Sequence, residues 1–385
     1  MKKLLKVLIV LTTFISLNNC ATAQDIRSRI AFGFSQKSCK VAIILPLGSK
    51  YQDSTKINNF MDFYAGALLA VEDSKRLGIS SDIEVFDSDD YSNLSLLVQS
   101  GRLNDFDFII GPVLSADLEK IMPFANEKGI PVISPLDPRS ESLTLANPYL
   151  FQATTPLVYQ QRTLLSGIVP GDHTTIISEN SNIDRDLISL TTDILRENSV
   201  KFNTLSYSLE KDKSILNQIL SRLDKSSLNN IIVPSNSEAF VYDVLRNLNL
   251  LSTMHGYRIK VYGTSRWRNF ELVDLSYLHS MNLTLSLNYY IDYTSQPVKD
   301  FVFRYRALYK SEPNAYAFQA YDITHFFLSC WSGSGLSPES IERSGASMLQ
   351  SDIKFVKNGE GYVNGASRKI EYLPDFSINF RTSLR

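Results

Sequence analysis

Residues 105–135 constrain the possible fold of this chain more than any other stretch. A short apolar run at 108–110 stops at Gly111-Pro112, and a helical pattern of apolar residues begins just after Ser115. A second apolar run at 130–133 ends at Ser134-Pro135. This succession predicts strand, loop, helix and strand, which is the unit that builds parallel sheets.

Small polar residues follow both predicted strands. Loops that leave the carboxyl ends of parallel strands collect ligands, because backbone N–H groups and helix N-termini converge there. Ser115 on the first loop and Ser134 on the second are therefore candidate ligand contacts. The alternative is that both serve only as turn and cap residues.

The same alternation continues along the chain. Apolar runs and amphipathic helical patterns alternate from residue 41 to 135, a segment at 147–156 interrupts them, and the alternation resumes from 157 to 263. At 385 residues the chain is long enough for two domains with separate cores. We therefore predict an α/β fold with two doubly wound parallel-sheet lobes.

The composition and the absence of known chemical motifs argue against several functions. Lys and Arg total 39 against 40 Asp and Glu, so the chain lacks the basic excess of a nucleic-acid-binding surface. No Walker loop, Gly-x-Ser-x-Gly or Gly-x-Gly-x-x-Gly occurs, and the four histidines have no metal-ligand spacing. The acids at 87–90 are typical of a solvated turn rather than a cation site. We predict a protein that is not an enzyme and that has no cofactor or metal.

The N-terminus has the pattern of an export signal. A basic start is followed by an apolar run at 7–17 and by Ala21-Thr22-Ala23, which fits a cleavage site. We predict a signal peptide over residues 1–23 and a periplasmic or cell-envelope location. No later apolar run reaches the ~18 residues of a spanning helix, so we expect no transmembrane segment in the mature chain.

Three cysteines leave alternatives open. Cys20 allows cleavage just before it and a lipid anchor on its side chain, as a minor option beside cleavage after Ala23. Cys39 and Cys330 could form a disulfide in an oxidising compartment, but two buried thiols are the favoured interpretation.

From Val41 onward the chain resembles the type I periplasmic binding proteins, especially the leucine-binding-protein-like, branched-chain amino acid receptors of ABC transporters. The resemblance rests on short segments that occur in the same order along nearly the whole mature chain. These segments are residues 63–70, Ile109-Ile-Gly-Pro112 with Ser115, Ile130-Pro-Val-Ile-Ser-Pro135, Asn147-Pro-Tyr-Leu-Phe151, Phe303-Arg-Tyr305, and Ala317-Phe-Gln-Ala-Tyr-Asp322.

The resemblance implies a clamshell whose two lobes are joined by three crossover segments around a hinge-bending cleft. It places the crossovers near 152–156, 285–290 and 332–337. The implied N-terminal lobe comprises residues 40–153 plus 287–335, and the implied C-terminal lobe comprises 154–286 plus 336–385.

The resemblance also implies where ligand contacts should lie. The hydroxyl residues that hold a ligand carboxylate in amino-acid binders are replaced here by Leu136-Asp137-Pro138, and the position of the acid that grips the ligand ammonium falls near Ser265. Candidate ligand-binding residues on rim segments are Ser115, Ser134, Tyr159, Ser235, Thr264 and Arg266.

Two functions follow as hypotheses. The first is an exported protein that captures a small polar ligand, amino-acid-like or other, in the cleft and presents it to a membrane permease such as that of an ABC transporter. The second is a non-transport interaction protein of the same fold, similar to lipoprotein activators of peptidoglycan synthases, with a cell-envelope protein as its partner. The altered residues at 136–138 and 265 favour the second hypothesis more than the fold resemblance alone does.

Overall fold

A computed structural model of the chain describes residues 38–48, 54–89, 94–209 and 215–384. The predicted signal peptide and Cys20 lie outside these residues. Within the described ranges, no helix combines the length and the apolar character that crossing a bilayer requires.

Strands and helices alternate through the first part of the chain, and the strands are buried because helices cover their apolar runs, except for β2 at the edge of the sheet, where only Phe86 is buried. In order, the elements are β1 (Cys39–Leu45), α1 (Ser54–Arg76), β2 (Ser81–Asp87), α2 (Leu94–Gln99), β3 (Phe108–Ile110), α3 (Ser115–Lys128), β4 (Val132–Ser134), α4 (Glu141–Thr144) and β5 (Leu150–Gln152).

The middle of the chain repeats this pattern. Its elements are α5 (Leu157–Leu165), β6 (His173–Glu179), α6 (Arg185–Glu197), β7 (Asn203–Tyr207), α7 (Ile215–Leu220), β8 (Leu228–Ile232), α8 (Glu238–His255), β9 (Arg258–Tyr262), α9 (Leu275–Ser280) and β10 (Thr284–Leu287). A short 3-10 helix, Ser265–Asn269, follows β9.

The last part begins with helices and ends with strands. It comprises α10 (Gln296–Tyr309), α11 (Ala315–Ser332), α12 (Pro338–Arg343), β11 (Ala346–Ser347), β12 (Asp352–Ile353), β13 (Phe355–Asn358), β14 (Gly361–Asn364), β15 (Arg368–Tyr372) and β16 (Ile378–Thr382).

The strands form two seven-stranded sheets. The first has the order β13-β14-β5-β4-β3-β1-β2 and the second has the order β16-β15-β10-β9-β8-β6-β7. From β2 to β14 and from β7 to β10 neighbouring strands are parallel, whereas β13, β15 and β16 pair antiparallel at the edges. The predicted two-lobed, doubly wound α/β fold is confirmed.

The predicted place of the third crossover is wrong. The chain does not leave the first lobe near 332–337, because β14 pairs with β5 through Tyr362 opposite Phe151, and the two rings stack with centroids 4.9 Å apart. Sheet pairing therefore places residues 355–364 with the first lobe, and the burial of Ile341 and Ile353 in the core of that lobe places the preceding segment there as well. The chain crosses at 365–367, immediately before β15 joins β10.

Helices α1 and α11 pack closely over the first sheet, because Gly66 lets their backbones approach. A Cβ at Gly66 would lie 2.0 Å from the backbone oxygen of Ala317, so no larger residue fits without moving a helix. Cys39 and Cys330 both lie in the core of this lobe as buried thiols that are not bridged to each other.

Hydrogen bonds tie the three crossovers together. The Thr155 hydroxyl in the first crossover donates to the backbone oxygen of Ala366 in the third. Arg368, just after the third crossover, donates to the backbone oxygen of Tyr290 in the second at 2.6 Å. Any movement of one lobe relative to the other would therefore have to distort or break these hydrogen bonds.

Candidate functional site

A continuous groove runs along the carboxyl edges of the two sheets. It consists of three concavities of about 300, 190 and 330 Å³. The first and second share Ser265 and Arg266, and the second and third share Asn288 and Tyr289 in the second crossover. We call this the interlobe groove, with a second-lobe pocket at one end and a first-lobe pocket at the other.

The second-lobe pocket is built from loops that leave adjacent parallel strands. Strands β6, β8 and β9 are neighbours in the sheet, so the turns that follow them meet at one edge. The pocket is lined by Leu157, Gln160, Gln161, Leu164, Ile183, Asp184, Asp186, Leu187, Asn236, Gly263, Thr264, Ser265, Arg266 and Ser286.

Asp184 organises the polar part of this pocket. Its side chain accepts a hydrogen bond from the Ser235 hydroxyl at 2.7 Å and one from the Asn236 backbone N–H at 3.3 Å. The Asn236 side-chain oxygen in turn accepts from the Thr264 hydroxyl at 2.8 Å. Arg266 is exposed at the mouth, so the pocket presents both a carboxylate and a guanidinium.

The four candidate residues of the second lobe differ in whether they line the pocket. Thr264 and Arg266 line the pocket. Ser235 is fully buried, with its hydroxyl already engaged by Asp184. Tyr159 is half-buried on α5, and the pocket is lined instead by its neighbours Gln160 and Gln161. All four remain predictions as ligand contacts.

Ser115 belongs to the first lobe, and its backbone is engaged within the protein. Its N–H at the start of α3 donates to Oδ2 of Asp137 at 2.9 Å, and the Arg139 side chain binds the same carboxylate at 3.0 Å. Burial raises the pKa of the Asp137 carboxyl, but the hydrogen bonds from Arg139 and Ser115 outweigh it and lower the pKa from 3.8 to about 2. The Asp137 carboxylate thus occupies the position where a helix N-terminus would attract an anion.

Ser134, the last residue of β4, is fully buried. Its hydroxyl oxygen has no hydrogen-bond partner among the described residues. It lies at the predicted edge of the sheet but beneath the surface, so a ligand could reach it only after neighbouring groups moved.

Sequence reasoning missed Asp184, Asp186 and Asn236. The sequence contained a signal, since a mostly polar segment at 180–186 follows β6, and the polar residue Ser134 likewise stands at the end of β4. Polar residues that follow each parallel strand are candidates for ligand contact, and this criterion, applied to every strand, identifies these residues.

The acidic turn at 87–90 has a structural role in its described part. Asp87 accepts the Leu47 backbone N–H at 2.9 Å. Among the described residues, no group of acids, histidines or cysteines has the arrangement of a metal site.

The shifted pKa of Asp137 predicts an acid-dependent loss of stability. The pKa in the folded state is about 2, below the unfolded value of 3.8, so the stabilisation is complete above pH 4 and is lost as the pH falls toward 2. Asp137→Asn should flatten this part of the stability curve, measured by urea unfolding between pH 2 and 5. Asp117→Asn, in the first turn of the helix α3 that Asp137 contacts, controls for loss of one negative charge. Equal slopes in the wild type and in Asp137→Asn would contradict the prediction.

Two α/β lobes with crossovers and a groove between them define a binding protein of the hinged, two-lobed class. A family model described as "Periplasmic binding protein" matches residues 38–346, which is more than half of the chain. The chain belongs to this family. Comparison with curated protein sequences gave no significant match.

Solved structures share the fold. A putative branched-chain amino acid ABC transporter from Rhodospirillum rubrum is 15% identical, with 90% of this chain and 100% of that chain covered and a TM-score of 0.65. An ABC-type branched-chain amino acid transporter from Rhodopseudomonas palustris is 14% identical, with coverages of 90% and 96% and a TM-score of 0.56. An ABC transporter substrate-binding protein from Desulfitobacterium hafniense is 14% identical, with coverages of 90% and 100% and a TM-score of 0.51. At these identities the similarity is one of fold.

Proposed function

We propose that this protein is an exported, non-enzymatic solute-binding protein of the periplasm or cell envelope. It captures a small polar ligand, amino-acid-like or other, in the interlobe groove and presents it to a membrane partner such as an ABC transporter. The observation that carries the proposal is the polar cluster of Asp184, Asn236 and Thr264 at the second-lobe end of the groove. The names of structures that share the fold, which refer to branched-chain amino acid transporters, support the transport role.

The chemistry of the second-lobe pocket suits a small ligand with hydrogen-bonding groups. Its volume of about 300 Å³ is at the lower end of the range for small-molecule sites. Asp184 and Asp186 attract a cationic group, Arg266 attracts an anionic one, and the Thr264 hydroxyl, which donates to Asn236, offers its oxygen as an acceptor. A solute with charged or polar ends can satisfy all of these groups at once.

Thermal unfolding of the purified protein against amino acids, short peptides, nucleobases and cell-wall fragments tests the proposal. A ligand at ~100 times its dissociation constant stabilises the folded state by roughly 2.7 kcal/mol, which raises the melting temperature by a few degrees. A panel that produces no shift would count against a solute-binding role.

Thr264→Val should weaken binding of any solute found in this way by about tenfold or more, since the variant keeps the side-chain shape and removes the hydroxyl. Isothermal titration calorimetry measures the change. Thr253→Val is the matched control, because Thr253 is exposed on α8 and bonds only to carbonyls of its own helix. Unchanged affinity in Thr264→Val, or equal loss in the control, would count against the placement of the ligand.

A second candidate function is that of a non-transport interaction protein similar to lipoprotein activators of peptidoglycan synthases. The Asp137 carboxylate favours it, because this group already fills the anion-attracting start of α3 and leaves no N–H of Ser115 for a ligand carboxylate. Pull-down from cell envelopes with the purified protein would distinguish the two functions. A specific envelope protein captured in the absence of solute binding would support the second.

A further inference from the structure

The first-lobe pocket differs in chemistry from the second-lobe pocket at the other end of the groove. It is lined by Pro135, Leu136, Pro138, Ala153, Thr154, Asn288, Tyr289, Ala315, Tyr316, Gln319, Gln350 and Ser351. None of these side chains is charged. The pocket therefore offers apolar walls, two tyrosine rings, and neutral amide and hydroxyl groups.

The amide groups of this pocket are held in place by their neighbours. Asp322 is fully buried and accepts the backbone N–H groups of Leu349, Gln350 and Ser351 at 2.9 to 3.0 Å, which orders this segment. The Gln350 side chain donates to Gln319 at 2.8 Å. The pocket wall is thus set by the core of the first lobe rather than by mobile surface side chains.

Three lining residues have polar oxygens that lack partners. Among the described residues, Thr154 Oγ1, Asn288 Oδ1 and Gln350 Oε1 are shut off from solvent and accept no hydrogen bond. Leaving a buried polar atom without a partner is unfavourable, so such atoms call for an explanation. Rotation of the Thr154 and Asn288 side chains toward the pocket would let N–H or O–H groups of a ligand satisfy them.

Asp137 lies between two lining residues, Leu136 and Pro138, yet it is not part of the pocket surface. Its carboxylate turns toward Ser115 and Arg139, and the residue as a whole is only 7% exposed. A ligand carboxylate in the pocket would meet no cationic lining side chain, and the Ser115 N–H is already taken by Asp137, whose own charge is paired with Arg139. The pocket therefore disfavours anions while remaining open to neutral groups.

Tyr289 supplies a flat surface at the point where the pockets meet. Its side chain is 43% exposed and lines both the first-lobe pocket and the adjoining concavity. Half-exposed aromatic rings at such positions stack on flat rings of a ligand. We propose, on the basis of the proposed solute-binding function, that the first-lobe pocket receives an uncharged ring bearing N–H or O–H donors and discriminates against carboxylates.

Two matched pairs of probes test this inference with the purified protein. Uracil and orotate differ by one carboxylate on a nucleobase, and glucose and glucuronate differ by one carboxylate on a sugar, so the pairs also distinguish the two sources of a neutral ring. Calorimetry is expected to show at least tenfold tighter binding of the neutral member of one pair. Tyr289→Ala should weaken that binding at least tenfold. Tyr293→Ala, at an exposed tyrosine outside the pocket, should leave it unchanged.

The possible outcomes separate this inference from the proposed function. Tighter or equal binding of the carboxylate members, or neutral-ring binding that survives Tyr289→Ala, would overturn the inference. Leucine, included as a fifth probe, tests the amino-acid alternative. Leucine binding that depends on Thr264, without binding of uracil or glucose, would overturn the inference and leave solute binding intact. If none of the five probes binds, the inference is contradicted, and the proposed function is then decided by the broader panel.

Discussion

Replacing Arg368 with methionine is expected to lower the free energy of unfolding by about 3–5 kcal/mol, because it leaves a buried carboxylate without its cationic partner. The side chains of Arg368 and Asp352 are 3% and 0% exposed and approach to 3.2 Å. Arg368 also donates to the backbone oxygens of Tyr290 and Leu349 at 2.6 and 3.0 Å. Urea unfolding at neutral pH measures the loss.

The matched control is an exposed ion pair with similar chemistry. Arg196 and Asp193 lie one turn apart on α6 with side chains 68% and 56% exposed, so Arg196→Met should barely change stability. A double variant that replaces both Arg368 and Asp352 with apolar residues should recover part of the loss, since no unpaired charge then remains. Equal effects of Arg368→Met and Arg196→Met would contradict the prediction.

The contacts of Arg368 join the two lobes. The residue begins β15 of the second sheet, while Leu349 donates its N–H to Asp322 of α11 in the first lobe, and Asp352 precedes Ile353 of the first-lobe core. Its contact with Tyr290 reaches the second crossover. Arg368 thus connects both lobes and the crossovers through a single side chain.

Replacing Trp267 with alanine is expected to cost about 3–5 kcal/mol, as for other large aromatic residues deleted from a core. The side chain is 1% exposed and packs directly against Gly263, where an added Cβ would lie 2.6 Å from the ring. Its indole N–H donates to the backbone oxygen of Ser235 at 2.9 Å. The variant removes the group that joins the loops after β8 and β9, so the second-lobe pocket should lose its shape as well.

Trp267→Phe separates the contribution of apolar packing from that of the indole N–H hydrogen bond. It keeps most of the apolar volume and removes the N–H, so we expect a smaller loss of stability than in Trp267→Ala. Thermal and urea unfolding of both variants, together with titration of any identified solute, measure stability and binding side by side. A fully stable Trp267→Ala variant would show that the loop after β9 does not depend on this side chain.

Local sequence pattern predicted much of the fold. Apolar runs such as 130–133 and 231–233 are short, lie between turn residues and alternate with amphipathic helices, and they contribute to parallel strands in the two predicted lobes. The prediction of these strands and helices succeeded because strand and helix periodicity depends mainly on residues close in sequence.

The third crossover could not be predicted in the same way. The strands 355–358 and 361–364 have patterns that would suit either sheet. Their place is set by long-range contacts, in which Tyr362 stacks on Phe151 and Phe355 packs into the same aromatic cluster. Sheet membership of an edge strand depends on which open edge its side chains fit, and this information is not local.

In the candidate site, too, local sequence predicts some features and long-range contacts decide the others. The sequence by itself determined the two-lobed α/β class and the strand ends at which polar residues gather, because these depend on local hydrophobic periodicity and turn chemistry. Only the tertiary structure decided that Ser115 donates its N–H to Asp137, that the Ser235 hydroxyl donates to the Asp184 carboxylate, and that Ser134 is buried. Those outcomes depend on which polar groups the packed loops bring within hydrogen-bonding distance, and residues far apart in the chain decide that.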